Sequence, residues 1–351
     1  MSTMRAAVLH DLHDLRVEDV PLPTFGDNEV LIEVSYNGLC GTDASEFAKG
    51  QIMVPLKNPH PNSKHLGPTI LGHEFIGTVV AAGLNAQNLI GKRVACGAGV
   101  SCGECKRCTQ GRTNLCDHYY TLGLSFHGGL AEYVATPAKI CIPIPDDISD
   151  VHAALAQPLA VGIHGVRRAG IKSGDTVIIL GVGAIGSFVC VALQQYDVTI
   201  IALDIDAGRL RIAKQLGATK SILIDQNVTP AEIKSFVLQA DVVFETSGTN
   251  GGVARALALT KMGGTLMMMG LNKTPQELVF ADAVLREVTI QTTVAHICAE
   301  DMPEALGMLR SGTVAELLTE KIVQLENVAL SFEELAAGKA TGKILVTPKH
   351  G

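Results

Sequence analysis

The chain reads as an α/β protein of two domains, one β-rich and one built on a doubly wound parallel sheet. At 351 residues it is too long for a single compact core. Its first half clusters β-branched residues between Gly, Pro and Asn turns, and from about Val151 short apolar runs alternate with helical patterns. A glycine triplet, Gly181-Val182-Gly183-Ala184-Ile185-Gly186, follows one of those apolar runs and opens a helix.

The elements follow in order. AAVLH, EVLIEVSY, EFIGTVVAAG, KRVACGAG and AEYVATPAKICIPIP are strand-like. Residues 50–69 carry four prolines with little periodicity and read as a long loop. DVHAALAQPLAVGIHGVRRAG is helical, and 176–181 is a short apolar strand. A helix over 186–195, a strand over 198–204 and a helix over 207–218 come next. DVVFETSG, GTLMMMGL and EVTIQTTV supply three further strands with helical patterns between them. Strands alternating with helices imply βαβ units and a parallel sheet. After about residue 295 come a helix, EDMPEALGMLRSG, and a closing strand, GKILVTP.

Composition excludes several classes. Hydrophobic content of 47% with 36 glycines describes an ordinary globular protein. A formal charge of −7 argues against nucleic acid or an anionic membrane as partner. No charge-free apolar run of about 20 residues appears, so no membrane span is expected. MSTMRAAVLH runs straight into a strand pattern without a cleavable apolar leader, which suits a reducing, cytoplasmic setting. Aromatic residues make up only 4%, and give no hint of a stacking platform for bases or sugars.

Four cysteines, Cys102, Cys105, Cys108 and Cys116, lie in SCGECKRCTQGRTNLC. Thiolates two residues apart in tight turns can converge on one tetrahedral ion, and four sulfurs leave no open position for substrate. The cluster therefore reads as a structural zinc lobe, about residues 96–117; an iron–sulfur cluster uses similar spacing. A disulfide framework fits poorly with a long chain, no leader and an odd total of nine cysteines.

The glycine triplet has the context of a dinucleotide site: strand before, helix after, and Asp204 ending the next strand. Gly181 permits the tight turn, Gly183 lets the backbone approach a pyrophosphate, and Gly186 allows close helix–strand packing. Ala184 and Ile185 open the helix, whose free N–H groups face the phosphates. Asp204 is expected to accept from the adenosine ribose hydroxyls and repel a 2′-phosphate, favouring NAD(H) over NADP(H). Asp206 is a nearby carboxylate able to share that role, and Arg209 lies in the helix that follows.

Cys40 in NGLCGTD and His73-Glu74 in LGHEF supply sulfur, nitrogen and oxygen, the mixed ligand set of a catalytic zinc with one open position. At these residues the chain resembles the zinc-dependent medium-chain alcohol and polyol dehydrogenases, nearest the butanediol and sorbitol dehydrogenase branch. The motifs CGTD, GHE, the four-cysteine lobe, GxGxxG and the following acidic residue run in family order over nearly the whole length. The resemblance implies a GroES-like catalytic domain from residues 1–157 and 295–351, with a Rossmann NAD-binding domain, 158–294, inserted. It implies two Zn²⁺ per chain, NAD(H), a small alcohol or ketone substrate, and a homodimer or homotetramer. It assigns Thr42 to proton transfer, Asp43 to orienting the zinc histidine, and Lys343 to the cofactor phosphates. Two departures stand out. Gln157 replaces a usual glutamate, so it binds zinc weakly, binds through water, or only hydrogen-bonds. Ser45 replaces a histidine that ends the proton relay in many relatives, and a serine is no buffer near neutral pH. The proline-rich loop with PHP at 59–61 is closer to the butanediol branch. Threonine, sugar or cyclitol dehydrogenases share these core motifs. A catalytically silent zinc- and nucleotide-binding protein is the non-enzymatic alternative, and a zinc-ribbon interaction module is disfavoured by the acidic balance.

Overall fold

A computed structural model describes residues 2–50, 52–272 and 274–348. The chain divides into two compact units, Met1–Ala160 with His296–Gly351, and Val161–Ala295.

The first unit is built on a seven-stranded sheet. Its order is Cys141–Pro143, Arg93–Cys96, Glu74–Ala82, Glu29–Gly38, Lys343–Thr347 and Thr319–Gln324, with Tyr133–Pro137 also pairing with Glu29–Gly38. The long run AEYVATPAKICIPIP is broken into two strands by a 3₁₀ turn at Ala138–Ile140, entered from Pro137. A hairpin of Thr3–Asp11 and Asp14–Pro21, joined by Thr69–Ile70, forms a second sheet. The apolar faces of the hairpin, Phe47, Leu130, Phe332 and Ile344 pack into one core. The strand Thr319–Gln324 and the helix Gly41–Lys49 have no counterpart among the elements expected from the sequence.

Two registers set the surroundings of Cys40. Gly38 stands opposite Glu74, and Leu345 stands opposite Gly38. The last strand of the chain is thus inserted beside the strand that runs into Cys40. A side chain at position 38 would collide with Glu74, because a Cβ there would lie 2.4 Å from Glu74 Oε2. Glycine is required by the close approach, not by its dihedral angles.

The second unit holds six parallel strands in the order Lys220–Leu223, Thr199–Asp204, Thr176–Leu180, Ala240–Glu245, Thr260–Met268 and Thr289–Thr292. Numbered along the chain this is 3-2-1-4-5-6, the doubly wound order with its switch point beside the first strand. Central strands such as VIIL are apolar at every position because helices cover both faces of a parallel sheet. No helix among the described residues is long and apolar enough to cross a membrane.

Candidate active site and metal centres

Among the described residues, two groups of side chains bring their ligand atoms within 4.8 Å of one another. The first is Cys102, Cys105, Cys108 and Cys116. A tetrahedral ion bonded to sulfur at about 2.3 Å sets its ligands roughly 3.8 Å apart. The Sγ separations are 4.0 Å for Cys102–Cys108, 3.9 Å for Cys105–Cys116 and 3.5 Å for Cys102–Cys116. The lobe is therefore already shaped for such an ion. Backbone N–H groups point at the sulfurs: Cys102 N and His118 N donate to Cys116, and Cys105 N donates to Cys102. Such donors favour thiolates, and the Asp117 and Cys108 backbone draws the Cys105 thiol down to about 6. Burial pushes Cys116 up to about 12. Four crowded sulfurs cannot all ionise alone, so a cation is their natural partner.

The second group is Cys40, His73 and Glu74. Cys40 ends the approach from Glu29–Gly38 and caps the helix Gly41–Lys49; Glu74 opens the neighbouring strand, with His73 just before it. Asp43, fully buried in the first turn of that helix, serves both sides. One oxygen accepts from Cys40 N at 3.1 Å, and the other lies 3.2 Å from His73 Nδ1. With Nδ1 engaged, Nε2 remains for a metal, the tautomer a zinc histidine needs. Burial works against a charged imidazole, yet Asp43 and Cys40 hold His73 well above its ordinary value. The three side chains offer sulfur, nitrogen and oxygen donors suited to a cation. Thr42 Oγ1 lies 3.7 Å from Cys40 Sγ. Ser45 is half-buried one turn further along the same helix, and Gln157 is half-buried in the first turn of Ala156–Ala169.

Lys343, expected to serve the cofactor phosphates, lies on the strand that pairs with Gly38. Its ammonium is buried, paired with Glu74 and donating to Leu39 O at 2.8 Å. The pairing of Leu345 with Gly38 puts it there. Burial opposes its charge, but Glu74 and Cys40 outweigh that and raise it. Sequence spacing could not show this, since Lys343 and Leu39 are 304 residues apart. Glu46 was also missed: its carboxylate accepts from Ile52 N, Met53 N and Val54 N, so it pins the start of the proline-rich loop.

In the second unit the glycine turn connects Thr176–Leu180 to the helix Ala184–Leu193. Gly181 has φ +95°, and a Cβ at Gly186 would lie 2.0 Å from Gly181 O. A Cβ at Gly183 would meet nothing within 4 Å. Two glycines are thus needed by the fold itself, whereas Gly183 leaves open space at a helix N-terminus, the place a phosphate would take. Asp204 is buried at the end of its strand. Its oxygens accept from Val182 N at 2.7 Å and Asp206 N at 2.9 Å, so it also ties the glycine turn to the second strand. Asp206 caps the next helix, accepting from Arg209 N at 2.9 Å.

Comparison with known proteins agrees with both halves. The model of the alcohol dehydrogenase GroES-like domain matches residues 26–146, and that of the zinc-binding dehydrogenases matches residues 184–311. Sorbitol dehydrogenase from Bacillus subtilis strain 168 is 34% identical over 89% of this chain and 87% of its own. The crystal structure of 2R,3R-butanediol dehydrogenase from Bacillus subtilis superposes with a TM-score of 0.88 at 30% identity, covering 99% of this chain and 100% of that one. A Sinorhizobium meliloti 1021 protein crystallised with NADP superposes at 0.86 with 29% identity, covering 99% of this chain and 100% of that one.

Proposed function

Because the chain belongs to the zinc-dependent alcohol and polyol dehydrogenases, we propose that it moves a hydride between a secondary alcohol, diol or polyol and NAD, on substrates like 2,3-butanediol or sorbitol. The observation that carries this is the convergence of Cys40, His73 and Glu74 with Asp43 on the far nitrogen of the histidine. These three residues would hold a catalytic zinc, and Cys102, Cys105, Cys108 and Cys116 a structural one, giving two ions per chain. Bound there, zinc supplies the Lewis acidity that makes an alcohol hydroxyl acidic near neutral pH, and the nicotinamide supplies the hydride acceptor.

The chain's own residues do the rest. Asp43 fixes the imidazole tautomer. Thr42 passes the hydroxyl proton onward, and Ser45 extends that path without storing the proton. Lys343 holds Glu74 by its charge and Leu39 by hydrogen bonding, which keeps the two ligand-bearing segments together. Gly183, Ala184 and Ile185 receive the pyrophosphate. The carboxylates of Asp204 and Asp206 favour a free ribose over a 2′-phosphate, hence NAD, with Arg209 beside them. Gln157 stands as a hydrogen-bonding neighbour of the metal rather than a full ligand.

The strand Thr289–Thr292 lies at the sheet edge. Such an edge favours pairing with a second chain in a homodimer or homotetramer, and a one-chain mass at micromolar concentration in sedimentation would exclude it. The free thiols suit a reducing cytoplasm. A panel of vicinal diols, polyols and amino alcohols with NAD⁺ and NADP⁺, followed by absorbance of the reduced cofactor, tests the substrate class. The expected result is turnover of diols or polyols with NAD⁺ preferred; turnover of amino alcohols alone, or NADP⁺ preference, would contradict it.

A further inference from the structure

Three cysteines outside both metal centres, Cys96, Cys141 and Cys298, gather in one core of the first unit. Cys96 and Cys141 are direct cross-strand partners on antiparallel strands. The flanking ladder bonds, Gly97 N to Ile140 O at 3.0 Å and Ile144 N to Arg93 O at 2.8 Å, show which kind of pair this is. Hydrogen-bonded pairs alternate along the ladder, so positions 96 and 141 form a non-hydrogen-bonded pair. Such pairs have Cα atoms about 4.5 Å apart and side chains on one face, within the span a disulfide bridges. We propose that Cys96 and Cys141 are a thiol-oxidation site that a hydroperoxide converts to a reversible disulfide.

The surroundings give the two sulfurs different roles. Ala98 N donates to Cys96 Sγ at 3.4 Å, and Thr136 Oγ1 lies 3.5 Å from it. Cys141 Sγ instead donates to Pro137 O at 3.6 Å. Burial opposes ionisation of Cys96, but the Cys141 thiol, then Thr136 and Ala98 N, outweigh that and lower it, while the same contact with Cys96, and burial, hold Cys141 well above the ordinary range. Cys96 is therefore the nucleophile and Cys141 the resolving thiol. Cys298 Sγ donates to Ile140 O at 3.6 Å and stays outside the pair. Among the described residues these side chains do not converge as metal ligands do, which favours a bond between two sulfurs over an ion.

The steps balance. The Cys96 thiolate attacks the hydroperoxide, breaking its O–O bond and giving a sulfenic acid and an alcohol, or water when the oxidant is hydrogen peroxide. The Cys141 sulfur then displaces the sulfenic hydroxyl, which leaves as water with the Cys141 proton. Two thiols are oxidised and one peroxide is reduced. Both sulfurs are buried, so the oxidant enters when Cys141–Pro143 frays; that strand is three residues long at the sheet edge. Ala98, a non-glycine residue at φ +55°, is held in part by its N–H on the Cys96 sulfur. Weakening that acceptor loosens the turn that leads into the Cys102 lobe.

The test treats the full-length, metal-loaded protein with hydrogen peroxide, blocks free thiols under denaturing conditions and maps peptides without reduction. The expected product is a linked pair of peptides containing Cys96 and Cys141, lighter by two hydrogens and restored to free thiols by dithiothreitol. Cys141→Ser should abolish that product and Cys298→Ser should keep it. Cys96→Ser checks the nucleophile independently, since it should leave Cys141 free after the same treatment. Recovery of both Cys96 and Cys141 as blocked free thiols, or disulfides confined to Cys102, Cys105, Cys108 and Cys116, would overturn the proposal.

Discussion

Lys343 and Glu74 are 4% and 2% exposed, and each is the other's main counter-charge. Removing one partner of a buried pair strands the other, which typically costs about 3–5 kcal/mol. Lys343→Met is therefore expected to destabilise the zinc-stripped protein by about that much in urea titration, and Lys343→Arg far less. A loss below about 1 kcal/mol in Lys343→Met would show that the pair does not hold the segments. A second residue-scale expectation concerns acid. His127 Nδ1 accepts from Ile70 N at 3.2 Å, and its ring lies 4.6 Å from that of His65. Burial, then His65, pushes His127 down to about 4 from an ordinary 6.5. Between these values the unfolded chain binds a proton the folded one refuses. The contribution is complete above pH 6.5 and is lost as pH falls toward 4, in total about 3 kcal/mol. Urea midpoints between pH 7.5 and 4.5 should fall less steeply for His127→Asn than for the parent. Parallel curves would assign the acid sensitivity elsewhere.

At the scale of elements, the glycine turn separates folding from binding. Gly186→Ala drives a methyl into Gly181 O, and should lower the melting temperature whether or not nucleotide is present. Gly183→Ala meets nothing in the protein. Its stability should be nearly that of the parent, with NAD⁺ bound at least about tenfold more weakly by calorimetry, because the methyl occupies the path of the phosphates. Unchanged NAD⁺ affinity in Gly183→Ala would place the pyrophosphate elsewhere. The turn was legible in the sequence because strand, glycines and helix are contiguous, and their spacing encodes the geometry. The helix Gly41–Lys49 was not: Cys40 is a poor capping residue by type, and its first turn is closed by Asp43 reaching back to Cys40 N and by Ala44 N on Cys40 O.

For the whole molecule, what could be read early was what is local. Four cysteines within fifteen residues, and His73 beside Glu74, announce metal chemistry without any knowledge of the fold. What could not be read depends on pairing between distant strands. The C-terminal strand Lys343–Thr347 lies against Asn37 and Gly38, and that register carries Lys343 to Glu74. Cys96 and Cys141 likewise become neighbours only through the sheet. We propose a catalytic metal on Cys40, His73 and Glu74 beside a structural one in the cysteine lobe. Zinc per chain, measured by elemental analysis on the parent and on Cys40→Ala together with NAD⁺-dependent turnover of the diol and polyol panel, tests it most directly. Two ions are expected in the parent and one in Cys40→Ala, with turnover lost and the melting curve still cooperative. A Cys40→Ala protein that keeps the parent's zinc content, or turns over at the parent's rate, would contradict it.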